Sequence, residues 1–358
     1  MEQEGPDPIP FKLRRLGVVM RAHPARPDEA GGVLNPGAAR DRGGALLLFP
    51  RAVDRHDRSR ILCVRVEVDE QDRPLGVERV GPALEPREFY ELRPKEHTGG
   101  CEDPRITYIE ALQHYVMTYC AWGAVGARVA LACSTDLRSW ERLGLVDFEP
   151  HEDRRYRVDF DNYYNKDGVL FPAPVIAPDG VQSLALLHRP VYGDHIPNGI
   201  TDPRPAIWIS YCPLEAVKRR ISALCTMRAH QVLIEPRFDW EELYIGAGAP
   251  PVRTPLGWLL IYHGVRTHQP PLLDSRKPLR YSAGALLLDL EDPRIVLYRS
   301  PRPILEPEVE EELSGGVAGG AVFPTGLDDH GDGRIDVYYG MGDRFIGAAR
   351  LRVPEELP

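Results

Sequence analysis

Ile61-Leu62-Cys63-Val64-Arg65-Val66-Glu67-Val68 alternates toward its end and reads as a β-strand. Similar segments lie on both sides of it. Residues 45–49 precede it, and 115–120, 129–134, 184–188, 258–263, 285–290 and 335–339 follow. Gly, Pro, Asp and Asn recur between them. The 35 prolines and 33 glycines break long helices and favour short strands joined by turns. One helical pattern stands out, over 213–227, with Leu214, Val217, Ile221 and Leu224 on one face and a proline at its start. One helix among many strands predicts an all-β sandwich, barrel or propeller.

The chain has 358 residues, enough for a sizeable core in one domain, and no inter-domain linker interrupts it. Its 44 basic and 53 acidic residues give a net charge of −9. That balance argues against broad binding of nucleic acid or an anionic membrane. No apolar run is long enough to span a bilayer. Residues 1–10 are acidic and proline-rich, without the cationic flank and apolar core of a signal peptide. Cys63, Cys101, Cys120, Cys133, Cys212 and Cys225 contain no Cys-x-x-Cys pair, and several lie in strand-like runs. Reduced thiols and a cytoplasmic location are expected.

The chemistry concentrates at Gly99-Gly100-Cys101-Glu102-Asp103-Pro104-Arg105-Ile106-Thr107. Two adjacent carboxylates, a rigid proline and a guanidinium stand directly before an apolar run. Such an acid suits proton transfer to a sugar oxygen. Asp-Pro-Arg recurs at 202–204 and 292–294. Those copies lack the Gly-Gly-Cys-Glu lead-in and read as turns. Other strand ends are also dense in polar groups: Asn35-Pro36-Gly37, Pro50-Arg51, Asn165-Lys166-Asp167-Gly168, His188-Arg189-Pro190, Tyr262-His263-Gly264 and Gly340-Met341-Gly342-Asp343. A radial β architecture would gather them around one axial pocket, with acids beside cations suited to an anion such as phosphate. Taken singly, Asp103 would be a turn acid, Lys166 a solvated lysine, His263 a satisfied strand-end histidine and Tyr281 a packing residue.

In combination, these motifs resemble glycoside hydrolase family 130, the β-mannoside phosphorylases and related β-mannosidases. The resemblance runs from about Asn35 to about Ala349. It rests on residues 100–105, 165–172, 257–265, 281–289, 322–326 and 338–343, in the family's order. It implies a five-bladed β-propeller, here expected over 1–358 with one short helix, long strand-connecting loops and an extended N-terminal arm over 1–15. It further implies that Asp103 is the catalytic acid, delivering its proton through a mannose hydroxyl. Phosphate attacks from the opposite face, turning a β-mannoside into α-mannose 1-phosphate with inversion. Lys166, His263 and Tyr281 match phosphate-holding positions, with Arg51 in the same ring of polar groups. Asp343 matches a sugar-contacting acid. Asn35, Glu102, Arg105, His188 and Arg189 complete the expected substrate contacts.

Phosphate is already an anionic nucleophile, so cations that position it replace the second carboxylate of an ordinary inverting glycosidase. No cofactor beyond phosphate as co-substrate is expected. The expected partners are an oligosaccharide and phosphate, with a homo-oligomer possible. Asp328-Asp329-His330-Gly331-Asp332-Gly333 reads as a hairpin turn rather than a calcium loop. His188 and His195 lack a third ligand, so no catalytic metal is expected.

The sequence departs from the family at two places. Lys166 stands where the phosphorylases often carry arginine, and residues 308–312 blur a Tyr-Glu element. Two insertions, over 192–204 and 267–280, are not accounted for by the family pattern. An inverting β-mannosidase would instead need a base such as Asp161, Glu235 or Glu310. A non-catalytic carbohydrate-binding propeller is the third reading.

Overall fold

Short strands separated by tight turns pair most readily with their sequence neighbours, and this chain folds that way. A computed structural model describes residues 10–93, 98–152, 157–268 and 278–357. They form five blades of antiparallel strands, the first two joined in one sheet by a short parallel pairing of Arg58 and Ser59 with Gly99 and Gly100. Blade 1 comprises Gly32–Arg40, Leu46–Val53, Arg58–Val68 and Pro74–Leu84, and blade 2 comprises Gly99–Ile109, His114–Gly123, Gly126–Ser134 and Glu141–Leu145. Blade 3 runs through Tyr164–Leu170, Gln182–Val191, Ile207–Pro213 and Thr226–Ile234. Blade 4 contains Tyr244–Ala247, Gly257–Thr267, Leu279–Leu288 and Val296–Arg299. Blade 5 takes three strands from the chain's end, Val322–Asp329, Arg334–Met341 and Phe345–Arg352. Its fourth strand is Leu13–Met20, which pairs antiparallel with Phe345–Arg352 and closes the ring.

The segments expected as strands lie in these blades, apart from residues just past their ends. Leu13–Met20 corrects the expected N-terminal arm: its last three residues begin this closing strand, and residues 1–9 lie outside the described residues. The expected helix over 213–227 is helical over Leu214–Arg219 and Ile221–Cys225. Extended Arg220 interrupts it, and Thr226 already begins a strand. A second short helix, Glu310–Leu313, was not expected.

Five apolar clusters fill the spaces between neighbouring blades. One joins Phe49 and Ile61 of blade 1 to Ile106 and Met117 of blade 2. Another joins Val129 to Leu186 and Trp208 across blades 2 and 3. The next links Leu187 to Tyr262 across blades 3 and 4, and a fourth joins Leu260's neighbour Ile261 to Tyr339 across blades 4 and 5. The last joins Ile346 and Ala348 to Leu48 and Val64, sealing blade 5 against blade 1. A closed ring leaves no sheet edge at the join, which removes the usual hazard of an unpaired strand.

A sequence repeat underlies this geometry. Glu85-Pro86, Glu235-Pro236 and Glu306-Pro307 are each followed by Glu91, Glu241 and Glu312, six residues after the first glutamate. Each of these later glutamates is fully buried at the turn entering blade 2, 4 or 5. Each accepts a hydrogen bond from a tyrosine of its blade's second strand: Tyr119 to Glu91, Tyr262 to Glu241 and Tyr339 to Glu312, at 2.7, 2.7 and 2.9 Å. Each also pairs with an arginine of the fourth strand: Arg142, Arg299 and, from the N-terminal strand, Arg15. Blade 1 keeps part of the device in Glu29 and Arg79. Blade 3 carries instead a buried chain in which His188 meets Asn165 and Ser210, and Ser210 meets His230.

Candidate active site

The innermost strands of blades 1, 2 and 3 share a local irregularity. Their pairing registers slip at Leu34/Gly37, Glu102/Arg105 and Lys166/Val169. At each slip a polar residue takes a positive φ: Asn35 at 45°, Asp103 at 47° and Asp167 at 54°. Asn and Asp tolerate this conformation better than most residues, and a bulge re-aims its side chain. Asp103-Pro104-Arg105 is therefore a bulge inside a strand. The other two Asp-Pro-Arg copies pair Arg204 with Asp202 and Arg294 with Asp292, Arg204 also donating to the Pro236 carbonyl.

Asn35 Nδ2 donates to Asp103 Oδ1 at 2.8 Å, and Arg51 Nη1 donates to the same oxygen at 3.1 Å. Arg51 Nη2 holds Glu102 at 2.8 Å, while Arg51 Nε is bound to Ser59. Arg51, expected as a phosphate ligand, is thus engaged with carboxylates and a serine. Burial would raise the Asp103 carboxyl. The charges of Arg51 and Arg105, the Asn35 hydrogen bond and the Lys166 charge outweigh it and hold the group below its ordinary range. Asp343, half-buried at the turn before Phe345–Arg352, contributes its charge to Arg51 and to Tyr281.

Arg105 is a positioning group. It is only 1% exposed, and its Nη1 donates to the Asp103 carbonyl at 2.9 Å. Its Nη2 reaches Asp167 Oδ1 at 3.2 Å, and its Nε reaches the Gly248 carbonyl at 3.1 Å. Its burial argues against the direct substrate contact expected from the sequence.

Asp167, which the sequence reading did not single out, is the hub of the opposite side. Its second oxygen accepts from Arg189 Nε at 2.6 Å and lies 3.6 Å from His263 Nε2. The Arg189 charge, foremost, and that of Arg105 overcome its desolvation and hold its carboxyl far below the ordinary range. Gly246 makes the approach possible. A Cβ there would lie 2.2 Å from Asp167 Oδ2 and 2.6 Å from His263 Nε2.

His263 corrects another expectation, because burial, the largest effect, lowers its pKa to about 3 despite the Asp167 charge. It acts as a neutral imidazole, not as a cation. Its ring stacks on Phe323 with centroids 4.5 Å apart, and neither ring nitrogen has a hydrogen-bond partner among the described residues. His188 is corrected as well. It is fully buried, bonded to Asn165 and Ser210 and packed on Phe148 and Phe160, so it supports blade 3 instead of touching substrate.

Lys166 is charged and has no hydrogen-bond or ion-pair partner among the described residues. Desolvation disfavours that charge, but Cys120, Glu102 and Asp103 keep its pKa above the ordinary value. Its Nζ sits 4.3 Å from the centre of the Trp122 ring. The Arg189 guanidinium lies 4.9 Å from the centre of the Tyr244 ring. The Tyr244 hydroxyl meets that of Tyr281 at 2.6 Å, and burial holds the Tyr281 phenol protonated. Asp103, Lys166, Arg189, the neutral imidazole of His263 and the Tyr244–Tyr281 hydroxyl pair therefore belong to one connected cluster, together with Glu102, Asp167, Arg51 and Arg105.

The alternative bases stand apart from this cluster. Asp161 is bound to Arg128, and Glu235 and Glu310 are exposed. Asp167, Trp122 and Tyr244 had been missed. Asp167 had a usable signal, since an Asn or Asp followed by Pro or Gly recurs at Asn35-Pro36, Asp103-Pro104 and Asp167-Gly168. The two aromatic residues had none, because both lie in ordinary strand sequence.

Two cavities of about 760 and 820 Å³ lie beside blade 4, around Arg237, Phe238 and Arg266, and contain none of the axial groups. The Asp328, His330 and Asp336 side chains cluster at the 330–333 hairpin, where Arg40 and Arg350 already neutralise both carboxylates. Among the described residues no helix is long and apolar enough to cross a membrane.

A family described as beta-1,4-mannooligosaccharide phosphorylase, glycoside hydrolase family 130, matches residues 12–357. The chain is 33% identical over 260 residues to a 1,2-beta-oligomannan phosphorylase of Thermoanaerobacter, covering 72% of this chain and 69% of the relative. It is 31% identical over 254 residues to a beta-1,4-mannooligosaccharide phosphorylase of Ruminococcus albus, covering 71% and 63%. The aligned stretch thus spans about two thirds of these curated relatives. Among solved structures, a beta-1,2-mannobiose phosphorylase of Listeria innocua in complex with beta-1,2-mannobiose shares the fold with a TM-score of 0.68 at 22% identity. That likeness covers 96% of this chain and 97% of the other.

Proposed function

The chain belongs to glycoside hydrolase family 130, and from that membership we propose that it cleaves a short β-mannoside with inorganic phosphate, releasing α-mannose 1-phosphate. The observation that carries the reading is the pairing of one re-aimed carboxylate, Asp103, with the cations Lys166 and Arg189 across one cluster. The neighbouring carboxylates Glu102 and Asp167 are tied to Arg51 and to Arg105 and Arg189, which leaves them poorly suited to activate water. The Tyr281 hydroxyl adds a hydrogen-bonding group for a phosphate oxygen, and buried, neutral His263 supports the site beside Asp167. Asn35 acts through its hydrogen bond to Asp103, because its Oδ1 is buried against Gly340.

In this mechanism a phosphate oxygen attacks the anomeric carbon as the bond to the leaving sugar breaks, and the anomeric configuration inverts. The electron pair of the broken bond stays on the leaving oxygen. Asp103 supplies that oxygen's proton through a hydroxyl of the bound mannose. The proton balance closes because hydrogenphosphate loses one proton on forming the ester and the leaving alcohol gains one. Asp103 is ionised in the free site, so it must be protonated before it can act. Bound phosphate offsets the cations that depress its pKa and so favours that uptake. The cations position the nucleophile and offset its charge. No cofactor beyond phosphate enters this scheme. Six buried free thiols fit a reducing compartment, and we place the reaction in the cytoplasm.

The test is to incubate purified protein with β-1,2- and β-1,4-linked mannobiose, with and without phosphate. In the reverse direction, α-mannose 1-phosphate is offered with a panel of acceptor sugars. Phosphate-dependent formation of α-mannose 1-phosphate supports the proposal. Equal turnover without phosphate would replace it with hydrolysis.

A further inference from the structure

Both cations of the proposed oxyanion berth belong to blade 3, and each leans sideways onto an aromatic ring of a different neighbouring blade. Lys166 Nζ lies 4.3 Å from the ring centre of Trp122, in blade 2. The Arg189 guanidinium lies 4.9 Å from that of Tyr244, in blade 4. We propose that Trp122 and Tyr244 are positioning residues, a pair of aromatic brackets that hold Lys166 and Arg189 in place and set the affinity for phosphate. The inference rests on the reading of those two cations as phosphate ligands.

Each ring is itself fixed. Trp122 pairs with Gly100 in the sheet, and Tyr164 packs beside it with ring centroids 6.0 Å apart. Tyr164 in turn fills the space over Gly126, where a Cβ would come within 2.1 Å of its ring. The Arg93 guanidinium also lies over the Trp122 ring, at 5.8 Å. Tyr244 pairs with Val265, and its hydroxyl is bound to that of Tyr281. A flexible lysine beside Glu102 and Asp103 would otherwise fold onto those carboxylates and neutralise both partners. The Trp122 face competes for the ammonium and keeps it off them. Arg189 commits Nε to Asp167, and its Nη groups have no hydrogen-bond partner among the described residues. The Tyr244 face fixes the plane in which they are presented.

The experiment measures phosphate binding by titration calorimetry, together with separate KM values for phosphate and for mannoside. Trp122→Leu and Tyr244→Leu should each weaken phosphate about tenfold while changing the mannoside KM far less. Trp122→Phe and Tyr244→Phe should restore most of the loss, because a ring face remains. Site-specific fluorination of Trp122 keeps its shape but drains its π face, and phosphate affinity should fall stepwise with each fluorine. Unchanged phosphate binding in the Leu variants would overturn the proposal. So would a loss that falls equally on mannoside, or one that neither the Phe variants nor fluorination modulates. Wild-type turnover without phosphate would defeat the phosphorylase reading alone, since the brackets are judged by the binding constant.

Discussion

Asn35 Nδ2 donates to Asp103 Oδ1 at 2.8 Å, joining the innermost strands of two blades at the carboxylate proposed to move the proton. Both residues hold a positive φ, and Gly340 leaves the room they need, since a Cβ there would lie 2.0 Å from Asn35 Oδ1. Asp103→Asn keeps the shape and removes the acid. It should lower kcat by about 10²–10⁴ with little change in either KM, measured as release of α-mannose 1-phosphate. A variant within a few-fold of wild type would exclude Asp103 from the chemistry.

Lys166→Met removes the one berth cation that has no ion-pair partner among the described residues. The KM for phosphate should rise by roughly 10-fold or more, because a charge-assisted contact is lost. The mannoside KM should move little. Equal effects on both substrates would mean that Lys166 acts on the sugar.

Gly246→Ala should be as damaging as a direct substitution in the site, although no substrate contact is lost. The added carbon would overlap Asp167 Oδ2 and His263 Nε2 and push the pair apart. Weaker phosphate binding with a small change in melting temperature is the expected pattern. Wild-type phosphate affinity in this variant would show that the Asp167–His263 approach is not needed.

Stability should fall on mild acidification. Burial, together with the neighbouring His230, holds His188 well below 6.5, and burial takes His263 to about 3. Below about 6.5 the unfolded chain therefore binds protons that the folded chain refuses, and folding weakens as pH drops toward 3. Asp103 and Asp167, held below their ordinary value of 3.8, lose their contribution only further down. Urea midpoints at pH 7, 6, 5 and 4 should decline steadily, and His263→Gln should flatten part of that decline. A flat profile to pH 4 would contradict the neutral buried histidines.

Glu241→Gln tests the repeated pin at the entrance to blade 4. Glu241 receives Arg299 at 2.6 Å and Tyr262 at 2.7 Å and is fully buried. Leaving Arg299 without its carboxylate should cost about 3–5 kcal/mol, read as a shift of the urea midpoint. A loss below about 1 kcal/mol would reduce the pin to a minor contact.

Much of this protein was legible before folding, because strands and turns are local events. The apolar runs marked their own strands, and the Gly-Cys-Glu-Asp-Pro-Arg stretch marked its acid. The Glu-Pro repeat that enters three blades was also there to be read, at an identical spacing each time. Contacts between residues far apart in the chain left no such trace. Nothing in the sequence around His188 says that it faces Phe148 and Phe160 instead of the axis, or that Arg15 completes a blade whose other strands lie some 300 residues away. The sequence reading counted His263 among the cations, since a free imidazole titrates near neutrality, and only closure of the ring removes it from water. Local chemistry thus chose the strands and the acid, while long-range burial decided which polar groups reach the axis and in what ionisation state they wait there.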